Sequence, residues 1–167
     1  KYDQAANHID LAEQHLALED FSAAVIELDN AISSLPTEDI SKITKLRLKK
    51  AKAQMQCSQL PQAYKDLENM LSEMNSDTDP KLIAETKSTL ANAQYYITWL
   101  MRLEGHSRET WEPVIESSRQ NFYAASEFAR TQGNKKSVDQ LIQNLEASIK
   151  LARMDLEELQ GLPLPNE

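Results

Sequence analysis

Apolar side chains recur at steps of three and four along most of the chain. Residues 3–18 place Ala6, Ile9, Ala12 and Leu16 on one stripe, and a polar break follows at Glu19-Asp20. A second stripe opens near Phe21 and closes at Pro36. The period is that of an amphipathic helix, so the two segments read as a helix and its return arm. If this unit recurs, its landmarks must come back at one fixed distance. Adding 39 to Ala12, Phe21, Ala24, Leu28 and Ala31 gives Ala51, Leu60, Ala63, Leu67 and Met70, so the order of small and large apolar residues is kept. Three longer stripes lie beyond. Residues 80–104 carry Ile83, Thr86, Leu90, Ala93, Ile97 and Leu100; residues 110–131 carry Trp111, Ile115, Ser118, Phe122, Ala125 and Ala129; residues 135–160 carry Val138, Ile142, Leu145, Ile149, Ala152, Leu156 and Leu159. Such lists are the seams of helices packed at shallow angles.

The breaks between stripes have their own chemistry. In SDTDP, residues 76–80, Asp77 or Asp79 is expected to cap a helix that starts with Pro80, a residue suited to a first turn. Gly105 and the Gly133-Asn134 pair supply the turns between the long helices. Pro163 and Pro165 stop any helix, so the tail 161–167 is expected to be extended.

His8, Leu11, Ala12, His15, Ala24, Leu28, Ala31 and Pro36 resemble the tetratricopeptide repeat, with histidines where aromatics are usual. The second copy keeps Ala51, Leu60, Ala63 and Leu67 but has Arg47, Lys50 and Gln54 in its first helix and Asn75 in place of the closing proline. A period of 39 exceeds the family's ~34, and PTEDIS at 36–41 is the natural place for the added residues. The resemblance covers residues 5–75. It implies an α-solenoid whose hairpins bury their apolar faces only against neighbours. The expected fold is all-α, a single helical domain over 1–167 of about seven antiparallel helices. Two hairpins fill 3–75 and three longer helices fill 80–160.

Composition narrows the function. Hydrophobic residues make up 41% and charged residues 26% of the 167, with three glycines. That is the balance of a chain that folds, and it favours helix over strand. A net charge of -8 opposes binding to nucleic acid phosphates or anionic lipid. No apolar run reaches the ~20 residues of a membrane span, so no membrane contact is expected from this segment. The lone Cys57 makes no internal disulfide and gives slight weight to the cytoplasm. Lys1 is not an initiator methionine, so the chain reads as a piece of a longer protein.

Candidate chemistry is sparse. KITKLRLKKAK, residues 42–52, holds six of the eighteen basic residues. On a helix, Lys42, Lys45, Lys49 and Lys52 share one face. Ile43, Leu46 and Ala53 form an apolar face on one side, and Leu48, Ala51 and Met55 form another on the opposite side. The resemblance implies that this lysine face looks into a concave groove where family members hold extended peptides. Lys45, Lys49 and Lys52 would then anchor acidic residues of a partner, the competing reading being a merely solvated face. Seven of the ten aromatics fall between Tyr95 and Phe128. Their spacing is that of core packing, and Tyr95, which lies off the stripe, is the one expected at the surface and available to a partner.

His8 and His15 stand too far apart for easy joint coordination of zinc. His106 beside Ser107 lacks an orienting group, Glu112 and Glu116 suit a helix start, and no metal, nucleotide or redox motif is present. No catalytic residue, metal or cofactor is expected. The sequence points to a non-enzymatic module that binds a protein or peptide partner, with self-association through the long helices as the alternative.

Overall fold

The computed structural model describes residues 1–161, and the expected extended tail lies outside the described residues from 162 onward. Among the described residues there are eight helices and no strand. They are α1 (Tyr2–Ala17), α2 (Phe21–Ser34), α3 (Ile40–Gln56), α4 (Leu60–Glu73), α5 (Pro80–Leu103), α6 (Arg108–Thr131), α7 (Lys135–Arg153) and α8 (Leu156–Gln160). The chain divides into two compact units, residues 1–78 and residues 79 onward. Within the first, each helix packs on the next; within the second, α6 lies between α5 and α7.

In the N-terminal unit the 39-residue register is written into the backbone. Moving α2 forward by 39 gives the bounds of α4. Ala12 and Ala51, Ala24 and Ala63, Leu28 and Leu67, and Ala31 and Met70 are all buried, while Phe21 and Leu60 are both half-buried. The turns repeat as well. Glu19 and Ser58, again 39 apart, are the two non-glycine residues with positive φ among the described residues, at 58° and 62°. In each turn the amide three places past the helix end reaches back five residues: Asp20 N to the His15 carbonyl at 2.8 Å, Gln59 N to the Gln54 carbonyl at 3.0 Å. This is the glycine-type helix stop made with a side chain in the left-handed region, where a Cβ is unfavourable. Glu19→Gly and Ser58→Gly are therefore each expected to raise stability by about 0.5–1 kcal/mol, read as a higher urea midpoint.

Two polar clasps follow the same register. His8 Nδ1 meets Glu27 Oε2 at 2.6 Å, and 39 residues on Arg47 donates to Asp66 Oδ1 at 2.6 Å. His15 faces Asp20 at 3.6 Å, and Gln54 donates to Gln59 at 3.4 Å. The residue types change while the geometry stays, so each helix pair is tied at equivalent points.

The C-terminal unit is built on close approach at small residues. Ala91, Ser118 and Ser148, one on each long helix, are fully buried. Ser118 Oγ donates to the Ala91 carbonyl at 2.7 Å and lies 3.5 Å from Ser148 Oγ, so the hydroxyls are satisfied where the backbones crowd. Gln94 bridges α5 and α6: its amide donates to Ser117 Oγ at 2.9 Å and accepts from Asn121 at 3.1 Å. The expected turns form at Gly105 (φ 81°) and Gly133 (φ 68°), where left-handed backbone favours glycine. Asp79 caps α5 by accepting from Lys81 N at 3.0 Å.

Several expectations are corrected. Ala5, not Ala6, is buried on α1. Leu100 is 42% exposed, because the last turns of α5 turn Thr98 and Trp99 inward instead. The single helix over 135–160 is two: Met154 takes an extended ψ of 144°, and Asp155 caps α8 by accepting from Glu158 N at 2.7 Å, which raises seven helices to eight. On α7 the buried positions are Ser148 and Leu151, while Val138, Ile142, Leu145, Ile149 and Ala152 are half-buried.

Candidate functional site

The basic run of α3 is placed as its periodicity requires, with Leu46, Leu48, Ala51 and Ala53 buried on its two apolar sides. Three of its six charges are paired within the unit. Lys49 pairs with Glu13 of α1, Lys50 with Asp29 of α2 at 2.6 Å, and Arg47 with both Asp66 at 2.6 Å and Glu73 at 2.7 Å of α4. Burial works against the Arg47 charge, yet the two carboxylates outweigh it and hold the guanidinium above its ordinary range. Lys42 lies 5.6 Å over the Tyr2 ring, whose hydroxyl donates to Asp39 at 2.7 Å. Of the three anchor lysines, Lys45 and Lys52 are exposed and without an ion-pair partner among the described residues; Lys49 is already neutralised.

Tyr95 is half-buried rather than at the surface. Its ring meets Tyr96 edge-on at 5.7 Å and packs against the cluster around Trp99 and Trp111, and burial pushes its phenol pKa up. Trp99, Trp111 and Phe122 are core residues, as their spacing implied.

An open groove that sequence reasoning missed runs over α6 in the C-terminal unit, with a volume of about 610 Å³. One wall is the face of α5 that carries Lys81, Glu85, Ser88 and Asn92, at steps of four, three and four. The other is the face of α7 that carries Ser137, Leu141 and Asn144, and Ala125, Phe128 and Ala129 of α6 make the floor. The small alanines keep that floor low. Lys81 and Glu85 cancel in charge, so the lining is close to neutral and rich in amides and hydroxyls.

Some of these groups are engaged locally: Asn134 accepts from Ser137 N at 3.1 Å, and Gln140 donates to Asn144 at 3.3 Å. A side-chain amide both donates and accepts, which is the hydrogen-bonding character of a peptide main chain. The volume falls in the ~300–1,000 Å³ range of ligand clefts. Lys81 and Glu85 are its charged pair, and the rest of the lining is amides, hydroxyls and apolar groups suited to hydrogen bonding and contact.

The remaining candidates are taken up structurally. His106 sits 3.1 Å from Glu104, Ser107 Oγ lies 3.0 Å from Thr110 Oγ1, and Glu112 and Glu116 pair with Arg108 and Arg119. Among the described residues no group of three or more histidine, cysteine or acidic side chains is placed to hold a metal ion, and no helix is long and apolar enough to cross a membrane. No protein-family model matches the chain, and no curated protein matches it significantly.

Proposed function

We propose that the chain is a non-enzymatic interaction module, in which residues 1–78 are two tetratricopeptide-like hairpins and the groove over α6 holds an extended segment of a protein partner. The observation that carries the binding role is that groove: open, about 610 Å³, floored by Ala125, Phe128 and Ala129 and walled by hydrogen-bonding side chains from two helices, with Lys81 and Glu85 as its charged pair. The hairpin reading is supported by the shared 39-residue register and by the clasps. The pairs His8–Glu27 and His15–Asp20 support reading α1 and α2 as the two arms of a hairpin. The α3 face is the second candidate surface, since Lys45 and Lys52 can still meet an acidic segment.

Peptide display against the whole chain, followed by fluorescence polarisation with a selected peptide, tests this. Ser88→Arg and Ser137→Arg, each filling the groove from a half-buried wall position, are expected to weaken binding about tenfold or more. Lys45, Lys49 and Lys52 changed together to alanine should alter it by no more than about twofold, the scale of exposed charges. The opposite pattern moves the site to α3. Sedimentation over the same concentrations separates peptide binding from self-association through the half-buried Val138, Ile142, Leu145 and Ile149 of α7, which would give a mass that falls on dilution.

A further inference from the structure

α8 is five residues long, too short to hold a helix by its own hydrogen bonds. Its one fully buried side chain is Leu159, at 0% exposure in a cluster with Trp99, Trp111, Ile115 and Leu151, while Met154 just before it packs half-buried against the same cluster. Leu156, the other leucine of the turn, is left exposed. The segment therefore meets the rest of the unit as a one-anchor ligand meets a pocket. Its flanks are acidic, with Asp155, Glu157 and Glu158, and the surface that receives it is mostly basic, Glu146 being the acidic residue of the adjoining groove and Glu112 the partner of Arg108. Arg102 and Arg108 lie 4.5 and 5.7 Å over the Trp111 ring, and Lys150 and Arg153 line a groove of about 700 Å³ shared with Glu157 and Glu158. The pocket wall has support of its own, because Arg102 donates to the Leu151 carbonyl at 2.7 Å and so ties α5 to the end of α7 without using α8.

We propose that this end of the C-terminal unit is a docking site for a short acidic helical turn bearing one leucine, and that α8 is its resident, displaceable occupant. The partner it fits is a protein segment of that chemistry: a leucine for the Trp99–Trp111 pocket and carboxylates for the Arg102, Lys150 and Arg153 rim. It is separate from the groove over α6 and shares no residue with it. Because α8 is held by one buried leucine, a competitor faces a handicap of about ten- to a hundredfold in apparent affinity, the equilibrium weight of one such side chain.

Both tryptophans of the chain lie in this pocket, so emission reports its occupancy directly. In full-length Leu159→Asp, the emission is expected to shift to the red while far-ultraviolet dichroism stays nearly unchanged. A synthetic peptide of residues 154–161 should then reverse the shift saturably, and the same peptide carrying Leu159→Ala should not. The unmodified chain should need about ten- to a hundredfold more peptide for the same effect. Glu157→Lys combined with Glu158→Lys, at two exposed positions, weakens α8 by charge alone and should give an intermediate response even if Leu159→Asp unfolds the unit. Emission indifferent to Leu159→Asp in a folded chain, or equal peptide response in all three proteins, overturns the proposal.

Discussion

Phe122→Ala is expected to lower the stability of the C-terminal unit by about 3–5 kcal/mol, the largest loss from any one truncation there. Phe122 is the bulkiest of the fully buried side chains and sits midway along α6, the helix with neighbours on two sides. The residues beside it on that face are Ser118, Ala125 and Ser126, all buried and all too small to swing into the space a ring leaves. Collapse would have to come from the backbones, and the Ser118 hydrogen bond to the Ala91 carbonyl already fixes α6 against α5. The cavity therefore stays, and its cost adds to the lost transfer energy. Urea unfolding followed by tryptophan emission measures it. A loss under about 1 kcal/mol would mean that the ring is not packed as described.

Leu28→Ala and Leu67→Ala are expected to cost about 2–5 kcal/mol each, and to cost nearly the same. Both leucines are fully buried, both stand on the second helix of their pair, and each is four residues past a fully buried alanine, Ala24 or Ala63, where the paired helix comes close. Equal environments should give losses that lie close together within the ~2–5 kcal/mol spread of such truncations. Dichroism-monitored denaturation of the two variants is enough to check this. A difference of about 2 kcal/mol or more would show that the 39-residue register governs the backbone without making the cores equivalent.

Much of the fold could be read from the spacing of apolar residues, because burial is what that spacing encodes. All six positions named on α6 are buried, and the landmarks 39 apart share their environments. The clasps were not legible, since His8 with Glu27 and Arg47 with Asp66 are different residues in one geometry, and identity is a poor guide where only the pairing is kept. The break before α8 escaped for another reason. Leu156 and Leu159 continue the stripe of α7, and neither glycine nor proline marks Met154-Asp155; the capping carboxylate of Asp155 is the only local signal.

The binding surfaces were least legible. The groove over α6 draws its lining from three helices, each contributing ordinary polar residues that mean nothing singly. Half of the basic run, conspicuous in the sequence, is consumed by acidic partners on α1, α2 and α4 that its own segment could not reveal.

Those internal pairings have a further consequence for assembly. Exposed ion pairs add little strength, at about 0–1 kcal/mol each, but they discriminate. The surface of α2 that meets Lys50 through Asp29 would present like charge to a second copy of itself, whereas α3 presents the opposite sign. The stacking order of the first three helices is thus polarised: the chain's own successor is welcomed on that side, and a stray duplicate of the same segment is turned away.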